Sequence, residues 1–185
     1  MDSHAHPIPS APPQSASGFS LIEMMVVVSL MAILAGLAAP SFTGMIESYQ
    51  VASARDNLLS TLQFARTEAI RTGQPITVRR RADCPSNNWG CGWIVFRDTN
   101  GDNVQQAAEP LVRGTELQRG VSIQANNVAA NNFVRVNSFD QFAGSMFFAF
   151  QMAPINTPNS TSCIALTFSS GMRATSTKGS GSCPT

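Results

Sequence analysis

Three sets of residues in this chain have types and spacings that could do chemistry. Cys84, Cys91, Cys163 and Cys183 form an even set of thiols, which either pair as disulfides in an oxidising compartment or bind zinc as thiolates. Four cysteines allow three pairings. Sequence proximity favours Cys84–Cys91, closing a short loop, and Cys163–Cys183, tying down the C-terminal tail. Against zinc, there is no CxxC pair, and His4 and His6 both lie in the first residues of the chain. The second set is Asp98, Asn100 and Asp102, side-chain oxygens at alternate positions, with Glu109 twelfth in a frame begun at Asp98. Calcium wants about six to eight oxygens, and such a frame needs glycine at its sixth position. Here that position is Asn103, and the flanks read as strands, so an ordinary hairpin turn is the first expectation and a calcium site the second. The third set is basic: Arg79-Arg80-Arg81, and Arg173 and Lys178 in a Gly/Ser/Thr-rich tail. Either group could contact phosphate. A solvated sheet edge is the default for the arginine run, because charged edges discourage strand addition.

Other constellations are missing from the sequence. Beyond residue 6 there is no histidine, and no phosphate-binding glycine loop or serine-nucleophile elbow occurs, so neither an enzyme nor a cofactor is expected. Only 12% of the 185 residues are charged and the net charge is +1, which makes no global electrostatic case for nucleic acid. Trp89 and Trp93 flank Gly90-Cys91-Gly92 and are expected to pack rather than to bind a ligand.

The elements that must position these groups begin with an apolar run. From Met24 to Ala39 the only polar side chain is Ser29, and a helix from Phe19 to Pro40 spans roughly 30 Å, enough to cross a hydrocarbon core. Residues 1–18 lack Lys and Arg, and the small residues precede the apolar run, so an ordinary cleavable signal does not fit. Glu23 stands at the edge of this run. A carboxylate there is costly and needs a partner or a role; an α-amino group near a new N-terminus would serve. Pro40 and Gly44 predict a kink or local melting. Leu58, Leu62, Ala65 and Ala69 then recur at helical spacing, and Thr72-Gly73 with Pro75 predicts the helix end. After Gly73 the period is two. Segments at Ile76–Val78, Trp93–Phe96, Leu111–Val112, Val121–Ile123, Phe133–Val136, Met146–Phe150 and Ile164–Phe168 read as seven strands separated by turns. Asn126–Asn132 and Pro154–Ser162 read as loops. The fold class is therefore α+β, a long helix packed on antiparallel sheet.

The run Gly18-Phe19-Ser20-Leu21-Ile22-Glu23-Met24-Met25-Val26-Val27 resembles the class III (prepilin-type) signal of type IV pilins and type II secretion pseudopilins. The resemblance implies cleavage after Gly18 by a prepilin peptidase, N-methylation of Phe19, and Glu23 as the carboxylate used in filament assembly. Phe64-Ala65-Arg66-Thr67-Glu68-Ala69-Ile70, Gly92-Trp93-Ile94-Val95-Phe96-Arg97-Asp98 and Ser169-Ser170-Gly171-Met172-Arg173 are similar to the pseudopilin H/FimT-like branch of minor pilins. That likeness implies a pilin-like fold with a leader at 1–18, a transmembrane and assembly helix at 19–50 and a periplasmic globular domain at 51–185. It also implies an inner-membrane, single-pass precursor whose partners are other major and minor pilins or pseudopilins. Some FimT-like pilins bind DNA through a C-terminal Gly-Arg-x-Arg element. Here Met172 and Thr175 occupy the arginine positions, leaving Arg173 and Lys178 as weak candidate DNA contacts.

Overall fold

The computed structural model describes residues 18–84, 87–126, 132–139, 147–158, 160–169, 173–180 and 183. The leader reading at 1–17, the start of the strand placed at Met146, most of the Asn126–Asn132 loop and the turn at 170–172 lie outside them. The chain forms two compact units, Met1–Pro40 and Ser41–Thr185, so residues 41–50 go with the second.

Helix α1 covers Leu21–Thr72. In the first unit Glu23 and Ser29 are its only polar side chains, and its side chains through Leu37 are exposed. Ser29 turns its hydroxyl onto the Met25 carbonyl at 2.7 Å, which satisfies that hydroxyl within the helix and leaves the surface apolar. No single helix among the described residues is long and apolar enough to cross a membrane; Leu21–Leu37 and Phe42–Thr72 pass that test only when taken together.

In the second unit the helix is two-faced. Val51, Ala54, Leu58, Leu62, Ala65 and Ala69 are buried at helical spacing, as expected for an amphipathic stripe. Phe42, Met45, Ile46 and Tyr49 also recur at three and four residues, yet stay exposed, on the side opposite Val51, Ala54 and Leu58 by the 3.6-residue turn. Glu47 accepts a hydrogen bond from Thr157 Oγ1 at 2.7 Å, tying this part of the helix to a distant loop. The helix stops at Thr72. Gly73 takes φ 67° and its N–H returns to the Ala69 carbonyl at 3.0 Å, a left-handed cap that glycine adopts without strain.

Eight strands follow among the described residues: β1 Ile76–Arg80, β2 Trp93–Arg97, β3 Leu111–Thr115, β4 Val121–Asn126, β5 Phe133–Val136, β6 Phe148–Pro154, β7 Ile164–Ser169 and β8 Arg173–Lys178. They form two antiparallel sheets, ordered β3-β2-β1-β5 and β4-β6-β7-β8. Seven coincide with the predicted strands; β8 is new. One core joins the helix stripe to Ile76, Val78, Trp93, Val95, Val134 and Val136 of the first sheet. From the second sheet it takes Val121, Ile123, Phe148, Phe150, Met152, Leu166 and Phe168. Both tryptophans are fully buried. Trp93 donates its indole N–H to Thr61 Oγ1 at 3.1 Å, and Trp89 meets the Phe150 ring edge-on at 5.1 Å, so each is a packing residue with its polar handle or ring face matched.

Val95 and Phe96 are consecutive and both buried, so β2 is covered on both faces at this point. Successive side chains of a strand point to opposite faces, and the β2–β3 register shifts between these two residues. Val95 joins the core that includes the helix stripe, whereas Phe96 is buried outside that cluster.

Candidate functional site

The N-terminal junction is built by one side chain. Gly18, Phe19 and Ser20 are exposed and outside the helix, which begins at Leu21. Ser20 Oγ accepts from the Glu23 backbone N–H at 3.3 Å, and the Ser20 carbonyl accepts from Met24 N–H at 3.2 Å. Ser20 is thus the N-cap, and Ser20-x-x-Glu23 has the form of a capping box, with Phe19 and Met24 at the two positions of a hydrophobic staple. Glu23 stands in the first helical turn, where the helix dipole favours a carboxylate. The S-x-x-E spacing was visible in the sequence, but the apolar run behind it drew the reading towards the membrane alone.

The oxygen-rich segment 98–109 is closed on itself. One oxygen each of Asp98, Asp102 and Glu109 lies within 4.8 Å of the others, but those groups already have donors. Asp98, fully buried, accepts from Gly101 N–H at 2.7 Å, Thr77 Oγ1 at 3.0 Å and Asn103 N–H at 3.2 Å. Glu109 accepts from Thr99 N–H at 2.8 Å and Gln106 N–H at 3.2 Å. Asn100 is not in the cluster; its amide exchanges hydrogen bonds with Asp102. Gly101 and Asn103 both take left-handed φ, 82° and 60°, a conformation asparagine tolerates better than most residues. Two arginines hold the segment from the sheet below. Arg79 donates to the Asn103 carbonyl at 2.5 Å and Arg135 to the Gly101 carbonyl at 3.3 Å, and Arg135 Nε lies 3.9 Å from Asp98 Oδ2. A cation here would have to displace backbone donors and face the Arg135 guanidinium, so the geometry is that of a locked turn.

The other basic residues are dispersed. Arg80 donates to the Cys84 carbonyl at 2.8 Å and Asn132 Oδ1 at 2.9 Å, whereas Arg81 pairs with Asp83 at 3.1 Å. That pairing holds the Asp83 carboxyl below its ordinary range. Arg79-Arg80-Arg81 is therefore engaged by four separate partners and forms no phosphate cradle. Arg173 and Lys178 are the end residues of β8, every residue of which is exposed. Five positions apart on a strand, they point to opposite faces about 17 Å apart. The structure does not bring them together. An ion cluster that the sequence reading overlooked sits at the helix end: Glu68 accepts from Arg71 at 2.7 and 2.9 Å and lies 3.6 Å from Arg97. The Arg71 hydrogen bonds lower the Glu68 pKa.

The four cysteines are bridged as Cys84–Cys91 and Cys163–Cys183, with Cα separations of 5.7 and 5.3 Å. The first joins the turn after β1 to the turn Trp89–Cys91 that precedes β2. The second secures the segment beyond β8 to the start of β7, where Gly179 N–H also reaches the Cys163 carbonyl at 2.8 Å.

The chain is similar to known families and proteins. Residues 14–39 match the prokaryotic N-terminal methylation motif, and residues 54–172 match the family described as Type II transport protein GspH. A curated relative, Type II secretion system protein H of Xanthomonas campestris pv. campestris, is 35% identical over 92 residues, which is 46% of this chain and 54% of that protein. The match thus spans about half the relative's length. Two crystal forms of the type IV minor pilin FimU of Pseudomonas aeruginosa share the fold at 18% identity. Their TM-scores are 0.57 and 0.54, with 74% and 72% of this chain and 93% and 96% of theirs covered. The match from residue 54 to 172 takes in the buried helix stripe and seven of the eight strands, and on that ground the chain belongs to the GspH family.

Proposed function

We propose that the chain is made as an inner-membrane precursor, cut after Gly18, methylated on Phe19, and built into a helical filament as a minor type IV pilin, with its globular unit in the periplasm and then at or near the filament tip. The observation that carries this is the coincidence of the methylation motif at 14–39 with a capped helix whose apolar side chains from Leu21 to Leu37 are exposed among the described residues. Such a surface needs lipid before assembly and other helices after it. Glu23 is the one carboxylate on that helix segment, and a neighbouring subunit's free Phe19 amine would neutralise it. Mass spectrometry of the mature protein tests the reading: an N-methylated Phe19 at the terminus is expected, and an intact Met1 overturns it.

A second reading is an H-type minor pseudopilin of a type II secretion system, favoured by the 35% identical relative. Deleting the gene separates the two. Loss of surface pili with secretion intact supports the first, and loss of secreted enzymes with pili intact supports the second. DNA uptake is the third. With Arg173 and Lys178 on opposite faces of an edge strand, any binding by the globular unit is weak and strongly salt-sensitive. Gel shifts across a salt series test this, and no shift at low salt removes it.

A further inference from the structure

We propose that Ser20 is a positioning residue for processing: by capping the helix it holds the Gly18–Phe19 peptide bond outside the helix, in a form that a membrane endopeptidase can enter. The proposal rests on the processing reading above. An endopeptidase has to reach the carbonyl carbon of the bond it cuts, and in a helix the carbonyl is hydrogen-bonded and walled in by side chains. Hydrolysis here breaks the bond between the Gly18 carbonyl carbon and the Phe19 nitrogen. The hydroxyl of water goes to the carbon and its proton to the nitrogen.

Three observations converge. The helix begins at Leu21, and Gly18, Phe19 and Ser20 are non-helical and exposed. Among the described residues, none beyond Gly18 and its chain neighbours comes within 4 Å of where a side chain on Gly18 would begin, so the junction is open to them on that side. The boundary is set by a specific bond, Glu23 N–H to Ser20 Oγ at 3.3 Å, and the methylation-motif match at residues 14–39 straddles it. In the sequence, Ser17 is the next residue upstream with a capping side chain, three places before Ser20. Without the Ser20 hydroxyl the helix can start from Ser17, drawing Gly18 and Phe19 into its first turn. The capping box also gives Glu23 a task before assembly, since its carboxylate stands where it can serve the Ser20 N–H.

The test uses full-length precursor in detergent micelles with purified prepilin peptidase, following cleavage and, separately, hydrogen exchange at the Glu23 amide. Ser20→Ala should be cut roughly fivefold more slowly, the population change that loss of a typical cap brings, with faster exchange at Glu23. Ser20→Thr and Ser20→Asn, which also cap, should restore both. Normal cleavage of Ser20→Ala, unchanged exchange at Glu23 in that variant, or slow cleavage of the Thr and Asn variants would overturn the proposal alone. Failure of the unsubstituted precursor to be cut after Gly18 would overturn the processing reading, and this proposal with it.

Discussion

Glu23 and Asp98 are both carboxylates beside backbone N–H groups, and they are placed for opposite purposes. Asp98 is fully buried and accepts three hydrogen bonds from its own chain, with Arg135 beside it. Glu23 is exposed in a first helical turn, on a surface that is otherwise apolar. The first carboxylate is spent on holding a turn shut; the second still has its charge to give. Richness in acidic side chains says little about a binding site until the donors already engaged are accounted for, and by that measure the cluster at 98–109 is structural.

The sharpest break of this comparison is Glu23→Leu. It removes the carboxylate without lowering hydrophobicity, so membrane insertion should be intact while incorporation falls by tenfold or more. Immunoblots of sheared filaments against membrane fractions check this, and normal filament levels would end the assembly role. The counterpart is Asp98→Ala, which strands the Gly101 and Asn103 amides and leaves Arg135 without its anion. It should lower stability by roughly 3 kcal/mol without touching membrane insertion. Thermal unfolding of the two proteins measures it, and a loss under about 1 kcal/mol would mean the turn is not locked.

The smallest effect lies between these extremes, at Glu68, whose side chain is 10% exposed while its partner Arg71 is 67% exposed. Its folded-state pKa lies below the ordinary 4.5 because of the Arg71 hydrogen bonds. The stabilisation is therefore complete above the unfolded pKa and is lost as the pH falls through the lower, folded one. Glu68→Gln should flatten the acid limb of the stability curve below about pH 4.5 and leave it parallel above, the loss being modest because Arg71 is well solvated. A steeper acid limb in the variant would contradict this.

Much of the fold was legible because burial imposes a period. The helix stripe at Leu58, Leu62, Ala65 and Ala69 and the alternating strands are patterns of this kind, and Gly73 marks its helix end by a φ that few other residues take. Strand β8 was not legible, since all six of its residues are exposed and none carries the apolar alternation; only its neighbour β7 makes it a strand. The locked turn was half legible. Its oxygens are local, but Arg79 and Arg135 reach it across 24 and 34 residues of sequence, and only the β1–β5 pairing brings them to one place. The Ser20-x-x-Glu23 box was written in plain spacing and was hidden by the stronger signal beside it.

The exposed row Phe42, Met45, Ile46 and Tyr49 bears on how the globular unit can be handled in isolation. A soluble fragment beginning at Phe42 carries four large apolar side chains that are exposed among the described residues, Met45 and Tyr49 at 64% and 74%. It should self-associate at working concentrations. One beginning at Gln50 sheds the whole row while keeping every buried helix residue from Val51 onward, at the cost of the Glu47–Thr157 tie. The boundary for a well-behaved domain therefore lies within a helix, immediately before its first inward-facing valine.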